Sequence, residues 1–175
     1  RLFASPGPIF EGARDAVDPW RFAHAFRAAG IGPGDVVLNC LSYHLTPGGF
    51  ILDGGARAAG AAVIPAGPGN VAALVEAIRA YRPTAYAGTP DFLKILLEAA
   101  GDDGGCIGKA VVTGAAFPPS LRDWVAARGV CAIEAYGTAE LGLVAHGTAD
   151  GAPGMAIAPG VVLEILRPGT NEPLP

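Results

Sequence analysis

Tyr136-Gly137-Thr138-Ala139-Glu140 places a planar ring, a glycine, a hydroxyl and a carboxylate in a stretch, Glu134 to Gly142, that directly follows the apolar run Val130-Cys131-Ala132-Ile133. Together these residue types can hold a nucleotide. The ring offers a face for the base, the glycine lets backbone approach a ligand, and the hydroxyl can bond phosphate. The carboxylate suits Mg²⁺, a hard cation that prefers oxygen ligands. Small and polar clusters also follow the other apolar runs: Ser42-Tyr43-His44, Gly67-Pro68-Gly69-Asn70, Gly88-Thr89-Pro90 and Gly114-Ala115-Ala116. Taken singly, each glycine is a turn residue. In an open parallel sheet, however, ligands bind beyond the carboxyl ends of the strands. Five such loops on one edge would line a crevice suited to a flat heterocycle and its phosphates.

The elements that must position these loops follow from the hydrophobic pattern. Short apolar runs alternate with amphipathic ones, which predicts βαβ units and an α/β fold: a doubly wound, mainly parallel sheet flanked by helices. Asp18-Pro19 opens a helix running to Ala29, with Asp18 as the cap and Pro19 at the first helical position. Asp35 to Leu41 reads as a strand, Pro47 to Ala59 as a helix of small residues, and Ala61 to Pro65 as a buried strand. Asn70 caps a helix with Val71, Leu74, Val75 and Ile78 on one face. The rhythm repeats with a strand at Thr84 to Ala87, a helix from Thr89-Pro90, and a flexible connection from Gly101 to Gly108. A strand at Lys109 to Thr113, a helix at Pro118 to Arg128 and a strand at Val130 to Glu134 complete it. Beyond Gly142 the pattern changes to shorter strands at Leu143–His146, Met155–Ala158 and Val161–Arg167. Residues 1–142 therefore read as the α/β core, and 143–175 as a small β-rich segment of the same large domain.

Composition narrows the function classes. The chain has 175 residues, 51% of them hydrophobic and 16% charged, which fits a globular core and excludes disorder. A net charge of −4 gives no electrostatic footprint for a nucleic acid polymer or an anionic membrane. No apolar run reaches the roughly 18–20 residues of a membrane span, and no signal segment opens the chain. Cys40, Cys106 and Cys131 are odd in number and widely spaced, matching neither a zinc pattern nor a disulfide framework. That usage points to a reducing, cytoplasmic setting. The start at Arg1 and the end at Pro175 read as a piece of something longer.

The motif at Tyr136 to Glu140 resembles the tyrosine-glycine-x-threonine-glutamate motif of the adenylate-forming, AMP-binding superfamily. Leu45-Thr46-Pro47-Gly48-Gly49, Val63-Ile64-Pro65, Gly69-Asn70, Gly88-Thr89-Pro90, and Gly114-Ala115-Ala116 followed by Pro118 are similar to its phenylacetate–coenzyme A ligase branch. They occur in that branch's order and at similar spacing along the whole chain. The resemblance implies an enzyme that activates a carboxylic acid with ATP as an acyl-adenylate and then transfers the acyl group to coenzyme A. Aromatic acids are habitual substrates of the branch, and homodimers are frequent in it. It also implies that Tyr136 stacks on adenine and that Gly114, Ala115, Ala116 and Gly137 line the nucleotide pocket. Thr138 would bond phosphate, Glu140 would help hold Mg²⁺, and Tyr43, His44 and Gly88 would lie near the acyl group.

Two departures accompany the match. Where the family carries a Ser/Thr/Gly-rich loop with a lysine around the ATP phosphates, this chain has Ala4-Ser5-Pro6-Gly7-Pro8-Ile9-Phe10-Glu11-Gly12. Two prolines remove backbone donors and Glu11 adds negative charge, so the loop is unsuited to the usual grip on ATP. The family's small domain with its catalytic lysine would lie beyond Pro175, so this fragment alone is expected to be inactive. The altered loop keeps a second reading open: a non-catalytic relative that retains the fold as a binding or scaffolding module. A Rossmann-type dinucleotide enzyme is disfavoured, because no G-x-G-x-x-G follows a first strand.

Overall fold

The structure, a computed structural model, describes residues 1–5 and 9–174. The chain begins with an antiparallel hairpin, β1 (Leu2–Ser5) and β2 (Ile9–Gly12). Pro6, Gly7 and Pro8 of the altered loop lie outside the described residues. The hairpin docks onto the body where the Ala4 N–H donates to the Leu45 carbonyl at 3.0 Å.

The body alternates as the sequence predicts: α1 (Ala23–Ala28), β3 (Val36–Asn39), α2 (Gly48–Ala59), β4 (Ala62–Pro65), α3 (Val71–Tyr81), β5 (Ala85–Gly88), α4 (Pro90–Ala100), β6 (Lys109–Val112), α5 (Pro119–Ala126), β7 (Cys131–Thr138), β8 (Gly142–His146) and β9 (Ala156–Ile157). Among the described residues the main sheet runs β4-β3-β5-β6-β7-β8-β9. β4 to β7 pair in parallel, whereas β7–β8 and β8–β9 are antiparallel. The chain steps from β3 out to β4 and then returns to lay β5 on the other side of β3. The order therefore reverses between β3 and β5, where a doubly wound sheet opens a crevice above its strand ends.

Alternation along each strand builds two cores. Val37, Ala85, Ala87, Val111, Ile133 and Ala135 face α1 and α2, packing on Phe22, Phe26 and Leu52. Leu38, Tyr86, Ala110 and Val112 face α3, α4 and α5, packing on Ile78, Leu93, Leu96 and Val125. Phe26 and Leu52 are fully buried, and each contributes about 2 kcal/mol relative to solvent exposure.

Several boundaries move for identifiable reasons. Asp18 is not the cap residue, which is Phe22, and Pro19 lies before the helix, but the Asp18 carboxylate still accepts from the Phe22 and Ala23 N–H groups at 3.0 and 2.8 Å. The helix itself starts only at Ala23, because Trp20 and Arg21 are committed to the carbonyls of Ala139 and Leu141 between β7 and β8. The Gly101–Gly108 connection contains a 3₁₀ turn, Gly101–Cys106. β7 continues past Glu134 to Thr138 by exchanging its parallel partner β6 for the antiparallel β8. Val161–Arg167 forms no strand; among the described residues this region holds an isolated bridge, Leu166 to Pro173.

Candidate nucleotide site at the strand ends

The strand order settles which loops are neighbours. From one edge to the other they run Gly67–Asn70, Ser42–Pro47, Gly88-Thr89, Gly114–Ala116 and Tyr136–Thr138. At roughly 4.8 Å per strand, β7 stands about 10 Å from β5 and about 19 Å from β4. A nucleotide spanning β5 to β7 would thus touch the last three loops, while Gly67–Asn70 lies at the opposite edge.

Those three loops are tied together. The Thr113 N–H donates to the Gly88 carbonyl at 3.0 Å. Arg122 of α5 bonds the Glu134 carboxylate at 3.0 Å and the Phe117 carbonyl at 3.4 Å, and its guanidinium lies 4.4 Å from the Phe117 ring centroid. Arg122 thereby pins the segment after Gly114–Ala116 against β7, just below Tyr136. By strand alternation Tyr136 shares the α5 side of the sheet with Glu134, and its ring is 55% exposed. Gly114, Ala115 and Ala116 are exposed as well. A planar ring and an open backbone segment therefore stand on the same side of adjacent strands. Gly88 is buried, and a side chain there would collide with the Tyr86 hydroxyl, which donates to the Thr89 carbonyl at 2.9 Å.

The turn after Tyr136 is built with equal care. The register shifts between Tyr136 and Gly137, and the Thr138 Oγ1 accepts from the Leu141 N–H at 3.1 Å. Among the described residues the Thr138 hydroxyl donates no hydrogen bond. Glu140 is exposed at the tip of the turn and makes no ion pair among the described residues. Gly137 leaves no room for a side chain: a Cβ would sit 2.8 Å from the Phe22 ring and from the Gly142 carbonyl oxygen. The space expected to admit a ligand is thus filled on that side by Phe22.

The loop after β3 is organised by a residue that the sequence reading passed over. Asn39, fully buried at the end of β3, donates to the Gly49 carbonyl at 2.8 Å and to the Tyr43 hydroxyl at 2.7 Å, and its Oδ1 accepts from the Leu41 N–H at 3.2 Å. The signal was a lone amide inside the apolar run 36–41, since a buried amide must find partners. The Tyr43 hydroxyl donates in turn to Asp53 at 3.2 Å. Burial, and then the Asp53 charge, push its pKa well above the ordinary phenol range. Tyr43 therefore turns its hydroxyl inward and packs its ring edge-on against Phe50. His44 is exposed, with its N–H bonded to Ser42 Oγ at 3.1 Å. Cys40, buried beneath this loop, has its thiol pushed up to about 12 by desolvation and is chemically quiet.

A cavity of about 610 Å³ lies elsewhere, between residues 13–20 and α2. Arg14, Trp20, Phe50, Asp53 and Arg57 line it, and none of the Gly114–Ala116 or Tyr136–Glu140 residues does. We assign the site by the convergence of loops at the strand ends, because an open crevice encloses little volume by itself.

The fold is thus a doubly wound α/β sheet whose carboxyl edge carries an exposed ring and an open backbone loop, a candidate ligand site at the strand ends. The chain belongs to the AMP-binding enzyme family, whose pattern matches residues 20–175. It is 37% identical over 76 residues to the phenylacetate–coenzyme A ligase of Thermus thermophilus, a stretch covering 43% of this chain and 17% of that protein. Its fold is similar to that of a 2-hydroxyisobutyryl-CoA ligase crystallised in an open conformation with 2-HIB-AMP and CoA (TM-score 0.77, 24% identity, 89% of this chain and 37% of that one). It is also similar to apo MatB from Rhodopseudomonas palustris (TM-score 0.73, 21% identity, 99% of this chain and 36% of that one). The chain thus spans 17% of the curated relative and little more than a third of these solved chains. No helix among the described residues is long and apolar enough to cross a membrane.

Proposed function

We propose that this chain supplies the adenine- and acyl-holding part of a carboxylic acid–coenzyme A ligase that works through an acyl-adenylate. The observation that carries the reading is the pairing of Tyr136 with the open Gly114–Ala116 loop on adjacent strands, beside a turn that presents Thr138 and Glu140. In this reading a substrate carboxylate oxygen attacks the α-phosphorus of ATP and pyrophosphate leaves. The thiolate of coenzyme A then attacks the acyl carbonyl and AMP leaves. Little of this needs covalent chemistry from the protein; positioning and charge neutralisation carry it.

Tyr136 stacks on the adenine, the backbone of Gly114, Ala115 and Ala116 borders the base, and Gly137 lets β7 close against Phe22 behind it. The Thr138 hydroxyl donates to a phosphate oxygen. Among the described residues no group of three carboxylate, histidine or cysteine side chains converges on a metal. A single open carboxylate fits Mg²⁺ all the same, since that ion is commonly held by one or two carboxylates with substrate phosphates and water. Glu140 would hold it, and Mg²⁺ when bound would neutralise charge on the phosphates. Tyr43 would present its ring, with His44 and Gly88, toward the acyl group. A cytoplasmic setting belongs to the same reading, supported by three free cysteines. A homodimer is supported by the habit of the branch that the sequence resembles.

The test is carboxylate-dependent pyrophosphate release by the full-length protein across a panel of aromatic and aliphatic acids. Release with at least one acid, followed by thioester formation with coenzyme A, is the expected result. The Pro6, Pro8 and Glu11 substitutions favour a second reading, a binding module without catalysis. AMP binding with no release for any acid would select that module. Failure to bind ATP, AMP or an acyl-adenylate analogue would end both readings.

A further inference from the structure

The turn that carries Thr138 and Glu140 is held by a segment about 120 residues away. The Trp20 indole Nε1 donates to the Ala139 carbonyl at 2.7 Å. The Arg21 guanidinium donates to the Leu141 carbonyl at 2.7 Å and reaches the Leu143 and Pro159 carbonyls at 3.4 and 3.5 Å. The Trp20 carbonyl accepts from the Leu143 N–H at 2.8 Å. The carbonyls of the residues on both sides of Glu140 are thus fixed, while among the described residues its own carboxylate makes no ion pair.

Packing enforces the same contact. A side chain on Gly142, whose φ is +76°, would collide with the Trp20 backbone, and one on Gly137 would strike Phe22. Both glycines around the turn are therefore required by contact with residues 20–22. Arg21 itself adopts a φ of +61°, a conformation that a residue with a side chain rarely takes unless its surroundings impose it. Asp18, bonded to the Phe22 and Ala23 N–H groups, anchors the segment from below. A sequence that only needed to start a helix after Asp18 would continue it through positions 20 and 21. This one breaks the helix there and commits an indole N–H and a guanidinium to the backbone of a distant turn.

We propose that Trp20 and Arg21 are positioning residues that set the turn 138–141 so that Thr138 and Glu140 meet the Mg²⁺-bound phosphates of the nucleotide. The proposal rests on the nucleotide reading of the site given above. It assigns the clamp to the phosphate and metal end of the ligand and leaves the adenine end, held by Tyr136 and Gly114–Ala116, independent of it.

The experiment uses full-length protein, titrated calorimetrically with AMP and with a non-hydrolysable ATP analogue, each with and without Mg²⁺. The variants are Trp20→Phe, which keeps the ring and loses the donor, and Arg21→Ala. Arg27→Ala is the control, because Arg27 donates to the Ala58 carbonyl at 2.6 Å, a comparable bond that touches neither the turn nor the crevice. AMP affinity should stay within about 2-fold of wild type in all three variants. The gain in analogue affinity produced by Mg²⁺ should shrink by about 10-fold in Arg21→Ala and less in Trp20→Phe, as is usual when the support of a metal-holding group is removed. Arg27→Ala should leave that gain unchanged. An undiminished Mg²⁺ gain in both clamp variants would overturn the proposal. So would a parallel loss of AMP affinity, which would mean general loosening. Trp20→Phe settles the matter if Arg21→Ala does not fold. A wild type that binds neither nucleotide would overturn the nucleotide reading first and this proposal with it.

Discussion

At the amino ends of β3, β5 and β6 the polar groups close on one another; at the carboxyl ends of β5, β6 and β7 they are left open. Below the sheet, the Asp35 carboxylate accepts from the Gly32 N–H at 2.9 Å and the Thr84 hydroxyl at 2.8 Å, and pairs with Lys109 Nζ at 2.9 Å. Lys109 also donates to the Gly30 carbonyl at 2.7 Å, and Thr84 Oγ1 accepts from the Val36 N–H at 3.0 Å. Donors and acceptors there satisfy one another. Above the sheet, among the described residues, Thr138 donates no hydrogen bond, Glu140 makes no ion pair, and Gly114–Ala116 are exposed. The contrast separates two uses of polarity. A closed network ties loops to strands and stabilises the fold, whereas an edge with rigid backbone and unspent side chains is prepared for a ligand.

The contrast is broken most sharply at Glu140. Glu140→Ala should reduce carboxylate-dependent pyrophosphate release by the full-length protein about 100-fold, on the order of the loss seen when a metal-holding carboxylate's contribution disappears. Its midpoint of thermal unfolding should not move, because the side chain supports nothing in the fold. A fall in stability as large as the fall in rate would count against the division between the two edges.

Gly142→Ala attacks the rigidity of the upper edge instead. The new methyl group would meet the Trp20 backbone at a residue with φ of +76°. A loss of about 2 kcal/mol is expected in denaturant unfolding, and full stability in this variant would mean that the clamp yields easily.

The lower edge gives the smallest effect and the cleanest pH signature. Lys109→Met should cost about 1–2 kcal/mol, less than a fully buried pair because the Lys109 side chain is 37% exposed against 11% for Asp35. Nucleotide binding should be unaffected. Burial alone would raise the Asp35 pKa, but the bonds from Lys109, Gly32 and Thr84 outweigh it and hold the carboxyl below its ordinary value of 3.8. A carboxyl depressed in the folded state contributes its stability in full above that ordinary value, and the contribution is lost as pH falls through the lower, folded one. Wild-type stability should therefore decline below about pH 4, and the decline should be shallower in Lys109→Met, whose Asp35 carboxyl has lost the partner that depresses it. Identical acid limbs for the two proteins would show that the pair does not stabilise the fold.

Much of this arrangement was legible in the residues. Thr89-Pro90 marked the start of α4, and Asn70 capped α3 as expected, its Oδ1 accepting from the Ala73 N–H at 3.1 Å. These signals are local, carried by side chains within a turn of the backbone they serve. The first helix was placed too early because Trp20 and Arg21 carry no sign of their partners at 139–143. Val161–Arg167 resembles a strand by composition, yet a strand needs a continuous ladder, and among the described residues this stretch makes an isolated bridge, Leu166 to Pro173.

The sequence by itself determined the alternation of elements and the residues that each strand delivers to its end, because both follow from periodicity and from caps a few residues away. The tertiary structure alone decided the order of the strands, and hence that Gly114–Ala116 and Tyr136 are neighbours while Gly67–Asn70 stands apart. It also decided that Tyr43 turns its hydroxyl inward and that the Glu140 turn is held from residues 20 and 21. Each of these depends on hydrogen bonds or packing between segments distant along the chain, and no local pattern records which distant group will complete a backbone carbonyl.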